Sequence, residues 1–195
     1  VFASAINAHE DWTVDDDAGA IQLLIDPNDG DYINGLKAWK GSLYVHKRKK
    51  INFVSPIAAP ATIPGNLRVD VYTTNVGCVS GYSIQNVIDD QLFLGEAGVM
   101  SLALAPLGEL KGSVISRNIG ELSKLKKTSS ALKEVIAYVF DDMNQYVISI
   151  PSTLSVSGFD EAWVLDYQKI NERDEKGFPI VRWSRFDGDI AGTAY

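Results

Sequence analysis

Short runs of β-branched and aromatic residues alternate with turn clusters along nearly the whole chain. The turns Asp29-Gly30, Pro64-Gly65, Asp89-Asp90 and Asp187-Gly188 separate apolar runs of strand length. The pattern predicts strands near 1–4, 21–25, 32–39, 43–46, 50–54, 67–73, 82–88, 91–95, 98–104, 113–116, 132–140, 144–150, 161–167, 180–185 and 189–194. One helix is predicted, Ile119 to Lys127. There Ile119, Leu122 and Leu125 share a face, and Lys124, Lys126 and Lys127 point away from it. Two turns of helix are too short to be stable without packing. The Pro/Ala-rich stretch 55–66 and the charged stretch 169–179 read as exposed connections.

A turn rich in Gly, Asp or Asn, followed at once by an apolar run, recurs roughly every fifty residues. The copies are Lys40-Gly-Ser-Leu-Tyr-Val45, Asp89-Asp-Gln-Leu-Phe-Leu94 and Asp141-Asp-Met-Asn-Gln-Tyr-Val-Ile148. Around them the strands group in fours, 32–73, 82–116 and 132–185, with two strands before and one after. The first strand of each group is apolar and rich in small residues, as expected of an innermost strand crowded around an axis. The last strands carry charge, as at Arg68, Asp70, Arg182 and Arg185. The predicted fold class is therefore all-β: a β-propeller of four-stranded antiparallel blades, about three whole and the rest partial, with one short helix. The Gly-Gly doublet of kelch repeats, the WD signature and the sialidase Asp-box are missing. A propeller ring takes four or more blades. The 1–195 propeller domain is thus expected to be part of a larger propeller or a longer chain. Val1, which is not an initiator residue, fits a processed or excerpted chain.

Composition narrows the function more than the fold. The apolar and charged fractions, 46% and 22%, are those of an ordinary folded domain. No apolar run reaches the ~18 residues of a membrane-spanning helix, and the opening residues lack the regions of a secretory leader. A single cysteine, Cys78, excludes an internal disulfide framework and argues against a thiolate metal site. The formal net charge of −7 makes a poor general nucleic-acid binder. It suits a surface that DNA slides past, and equally one that must only stay soluble.

Three blocks of residues carry a resemblance. The first is Asp31-Tyr-Ile-Asn-Gly-Leu-Lys-Ala-Trp-Lys-Gly-Ser-Leu-Tyr-Val-His-Lys-Arg-Lys-Lys-Ile51. The second is Val76-Gly-Cys-Val-Ser-Gly-Tyr-Ser-Ile84 with Leu92-Phe-Leu-Gly-Glu-Ala-Gly-Val-Met-Ser-Leu102. The third is Ile115-Ser-Arg-Asn-Ile119, then Tyr146-Val-Ile-Ser-Ile150, Trp163-Val-Leu-Asp-Tyr167 and Trp183. In order and spacing these resemble the tail nozzle or hub proteins of short-tailed bacteriophages. Val1-Phe-Ala-Ser4 with Glu10-Asp-Trp12 resembles the start of the preceding blade in that family. The resemblance implies a structural virion protein around the DNA exit channel, acting in tail assembly and genome ejection. It implies a ring-shaped homo-oligomer, commonly a hexamer, beside adaptor and fibre proteins, with DNA passing through unread. It implies a location in the virion tail after synthesis in the host cytoplasm, and neither catalysis nor a cofactor. Family chains are several times longer than this one.

The chemistry-bearing residues have bland explanations alongside functional ones. Asp15-Asp16-Asp17 with Gly19 lacks the distal Glu of a Ca²⁺ loop, and Asp26-Pro-Asn-Asp-Gly-Asp31 holds Gly30 out of register. Solvated turns explain both better. His9 and His46 have no nucleophile motif beside them. His46-Lys47-Arg48-Lys49-Lys50 is the one basic run, and it spans a predicted tight turn. A solvated tip is the favoured reading, and contact with DNA or a neighbouring subunit the functional one. Trp39, Trp163 and Trp183 read as core aromatics, with Trp12 less determined. Cys78 reads as a small buried hydrophobe. Gly77, Gly81, Gly95 and Gly98 read as turns and sites of close backbone approach. Two alternatives remain open: a cellular propeller scaffold for protein partners, and a propeller glycosidase or sialidase using Asp29, Asp31, Asp89 or Asp187.

Overall fold

The structure, a computed structural model, describes residues 1–4, 10, 12–13, 20–57, 66–105, 114–117, 119, 132–151, 159–168, 172, 175 and 180–190, the last four and residue 160 by backbone alone. Within these residues the chain is all-β. Thirteen strands form four antiparallel sheets in chain order. The strands β1 (Phe2–Ala3) and β2 (Ile21–Gln22) make a two-stranded sheet. The first four-stranded sheet is β3 (Ile33–Trp39), β4 (Ser42–Lys47), β5 (Ile51–Pro56) and β6 (Leu67–Thr73). A three-stranded sheet follows: β7 (Gln85–Val87), β8 (Asp90–Gly95) and β9 (Gly98–Ser101). The last sheet is β10 (Ile136–Phe140), β11 (Gln145–Pro151), β12 (Phe159–Asp166) and β13 (Arg182–Ile190). Each is an up-and-down meander, and the described sheets do not close into a ring. None of the described helical turns is long and apolar enough to cross a membrane.

The predicted grouping of strands matches these sheets, but the strand expected at 98–104 ends at Ser101, the one expected at 132–140 begins at Ile136 after a helical turn at Leu132 and Lys133, and there are three further corrections. Of the strand expected at 113–116, the described residues form a single bridge, Met100 to Val114, so the middle sheet has three full strands among the described residues. The strand expected at 82–88 opens instead as a tight 3-10 turn over Gly81–Ser83, leaving Gln85–Val87 extended. The strands expected at 180–185 and 189–194 are continuous as β13 to Ile190. Of the predicted helix 119–127, Ile119 alone lies among the described residues, and it is not helical. The Asp15 to Gly19 cluster and His9 lie outside them.

The turn chemistry explains the hairpins. Lys40 and Gly41 both have positive φ, 46° and 76°, between the paired ends Trp39 and Ser42. Two left-handed residues give the turn whose twist matches a hairpin. The β7–β8 turn instead puts Ile88 at φ 40°, a conformation that a β-branched residue adopts only under strain.

Burial follows the position of each sheet. The strands β8 and β9 are buried at every position, as expected of a sheet covered on both faces. One core joins Leu92, Leu94 and Val99 to Tyr146, Ile148, Trp163 and Leu165 of the last sheet. Another joins Phe93, Met100 and Leu102 to Tyr44 and Ile51 of the first. A third lies between β1–β2 and the far face of the first sheet, around Ile25, Val45 and Val54. Trp39, Trp163 and Trp183 take the packing roles expected of them. Trp39 sits edge-on to Tyr44, Trp163 is buried, and the Trp183 indole donates to Ile115 O at 3.3 Å.

Candidate functional site

The basic run begins inside β4 and crosses the turn into β5. Strand alternation and two neighbouring loops give its five side chains different fates. His46 and Lys47 are buried, which corrects the expectation of a solvated tip for both. Lys47 Nζ donates to Ile25 O at 3.3 Å, Asp26 O at 3.2 Å and Asp29 Oδ2 at 2.7 Å. Lys50 Nζ lies 2.7 Å from Asp26 Oδ2 and 2.5 Å from Asp29 Oδ2. Asn52 Nδ2 donates to Asp26 Oδ2 at 2.8 Å. The acceptors come from a loop whose Asp26, Asn28 and Gly30 all have positive φ. Asn, Asp and Gly tolerate that conformation best. Asp31 completes the clamp, accepting from the Lys49 backbone N–H at 2.9 Å and the Tyr32 N–H at 3.0 Å.

This pairing sets the ionisation of the loop. Hydrogen bonds from Lys47, then Lys50, then the Asp31 N–H hold the Asp29 carboxyl far below the usual range. Hydrogen bonds from Lys50 and Asn52 lower Asp26. The Lys50 ammonium is raised in return, first by Asp26 and then by Asp29. Two ammonium groups against two carboxylates make a locally balanced cluster, so Lys47 and Lys50 face loop carboxylates instead of an external anion. Asp29 and Asp31, two of the carboxylates considered for glycosidase chemistry, are both committed here.

Arg48 and Lys49 are exposed, as the turn predicted. They line a cleft of about 300 Å³ together with Thr74, Asn75, Glu96 and Met100. Arg48 Nε approaches Glu96 Oε1 at 3.5 Å across it. The pair is solvent-exposed on both sides and contributes little to stability. The cleft carries both signs of charge.

His46 points the other way, into the interface between the β3–β6 sheet and the β7–β9 sheet. Its Nε2 donates to Gln91 Oε1 at 2.7 Å. Gln91 Nε2 donates to Asn86 Oδ1 at 2.7 Å, and Asn86 Nδ2 to Ala38 O at 2.9 Å. This chain of bonds assigns the proton to Nε2 and leaves Nδ1 buried without a partner. The ring also meets Phe93 edge-on at 5.0 Å. Burial, opposed by the Gln91 bond, lowers the His46 pKa to about 4, so it is neutral at pH 7.

A second polar arrangement had no signal in the spacing of the sequence. The segment from Val76 to Ile84 runs between all three large sheets. The Cys78 N–H donates to Lys47 O of the first sheet, and the Val79 N–H to Leu94 O of the second. Ser80 Oγ lies 2.6 Å from Val135 O, just before the third sheet, and Tyr146 Oη donates to Ser83 O at 3.0 Å. Ser83 Oγ accepts from the Leu94 N–H at 2.9 Å. Gly77 and Gly81 are needed here because a Cβ would collide with backbone, at Arg48 O and Asn34 O respectively. The Cys78 thiol is buried and its pKa is pushed up to about 12, which makes it an unreactive packing residue. The sequence marks this segment through Gly77 and Gly81, read as points of close backbone approach, whereas its serines carry no such message.

No protein-family model matches the chain, and no curated protein matches it.

Proposed function

We propose that the chain is a structural component of a virus particle, a section of the propeller wall of a phage tail nozzle or hub through which DNA leaves. The observation that carries this is the succession of three antiparallel meander sheets, in chain order, with the middle one buried on both faces. That is how neighbouring blades of a propeller pack. The blocks that resemble the tail proteins fall on this framework: Asp31–Ile51 on β3 to β5, Val76–Leu102 on the central segment to β9, and Tyr146–Tyr167 on β11 and β12. A net charge of −7 is compatible with a wall that lets DNA slide, without selecting it over a surface that only stays soluble. The internal pairing of Lys47 and Lys50 supports the same role, because it leaves Arg48 and Lys49 as the accessible part of the basic run.

Electron microscopy of the purified protein, with parent particles labelled by an antibody against the chain, tests this. The expected result is label at the tail end and a ring with a central channel in the wall it marks. Label elsewhere, or a protein that copurifies with cellular partners and never with particles, overturns it.

A further inference from the structure

The cleft beside the basic turn has two unlike parts, a fixed apolar floor and a charged rim. Val76 and Met100 line it from below and are themselves only 3% and 2% exposed. Gly77 lies so close to Arg48 O that a Cβ there would overlap it, and a Cβ at Gly95 would collide with Met100 Sδ. The two glycines let main chain and thioether close up beneath the opening. The Cys78 N–H ties the end of this stretch to Lys47 O at 2.9 Å. The floor is therefore preformed and apolar, as the floors of small-molecule sites are.

The rim is drawn from two sheets. Arg48 and Lys49 come from the β4–β5 turn, and Glu96 from the β8–β9 turn. Asn75, just past β6, closes a third side. Arg48 and Glu96 meet through Nε and Oε1 at 3.5 Å, with 43% and 63% of their side chains exposed. That contact does not use the guanidinium fork, which pairs best through two parallel bonds. The rim thus holds a cation and an anion side by side above an apolar base.

A ligand with one charge gains little from such a rim. A bare carboxylate meets Arg48 but is repelled by Glu96, and a bare amine meets Glu96 but is repelled by Arg48. A ligand with a carboxylate and an ammonium on one carbon meets each group with its opposite. It exchanges one weak exposed pair for two charge-assisted contacts. An apolar side chain on the same carbon takes the floor out of water. The volume of about 300 Å³ lies at the lower end of small-molecule sites and suits a single unit of this kind.

We propose that the cleft binds a free α-amino acid with an apolar side chain. Its carboxylate pairs with Arg48, its ammonium with Glu96, and its side chain covers Met100. Bound there, the ligand joins the β4–β5 turn to the β8–β9 turn and so clamps two sheets together. The site stands on these residues whether or not the chain belongs to a particle.

Isothermal titration calorimetry of the purified chain with L-leucine, N-acetyl-L-leucine and L-leucinamide tests it. The two derivatives keep the side chain, and each lacks one of the two charges. The expected result is saturable binding of leucine with a Kd of about 1 mM or below, each derivative being weaker by about tenfold or more. Arg48→Met and Glu96→Gln each weaken leucine by about tenfold or more. Both side chains are exposed, so circular dichroism is expected to show intact folds. Leucine raises the thermal midpoint of the unaltered chain and leaves that of either variant in place. Lys40→Met, at an exposed position by the opposite end of β4, leaves binding intact. Absence of saturable binding up to about 20 mM overturns the proposal. So do derivatives or plain acetate that bind as tightly as leucine, and so does leucine binding that survives both rim variants.

Discussion

His46 shows how much a single position decides. The buried neutral imidazole has its pKa lowered to about 4, while the unfolded chain titrates near 6.5. Below pH 6.5 the unfolded state takes up a proton that the folded state refuses, so stability falls as the pH drops from 6.5 to 4. The shift corresponds to about 3 kcal/mol. Urea titrations at stepped pH are expected to show this loss, and His46→Gln is expected to flatten it. Asp26 and Asp29, lowered by their lysine partners, add a second loss at more acid pH. Their contribution is complete above the ordinary carboxyl range and disappears as pH falls through their folded values. Ile88 carries the opposite lesson. Its φ of 40° at an exposed hairpin tip is strain without packing. Ile88→Gly is expected to stabilise the fold by about 1 kcal/mol, read as a higher denaturation midpoint with an unchanged slope. The sequence placed His46 at a strand end but could not show that it turns inward. That depends on the parity of β4 and on Gln91, which lies far along the chain.

At the scale of elements, strands with alternating or continuously apolar residues were legible. β3 to β6, β8 and β11 lie where the pattern puts them, because the period-two signal and the flanking turns agree there. The failures have local causes. In the stretch 82–88 the apolar residues are real, yet Ser80 and Ser83 bond to backbone and bend the chain into a tight turn. Among the described residues of 113–116, pairing is a single bridge at Val114, held by the Ile115 N–H on Val99 O, and the ladder stops there because Ser116 Oγ takes the Val99 N–H. The glycines of the central segment were correctly read as points of close approach, but their partners Asn34 and Arg48 were invisible. Gly81→Ala is expected to cost about 3 kcal/mol, because the new methyl meets the Asn34 carbonyl and neither backbone can yield cheaply. Gly41→Ala, with open space around it, suffers only from its positive φ and is expected to cost about 1 kcal/mol. Chemical denaturation of the two variants side by side checks the order.

At the scale of the molecule, the fifty-residue period announced separate sheets, and the chain does fold as sheets in succession. The segment that ties them together by hydrogen bonds was not announced. In an array of repeats each unit touches only its neighbours, so units can melt or be pulled apart one at a time. The segment from Val76 to Ile84 removes that freedom. It bonds to Lys47, Leu94, Val135 and Tyr146, which belong to or adjoin three different sheets. Far- and near-ultraviolet signals are therefore expected to fall together in a single transition on urea titration, and separate midpoints would contradict this. Under tension the same segment acts as a rivet. A load applied to the last sheet is shared with the first through nine residues, and the molecule yields all at once instead of unzipping sheet by sheet.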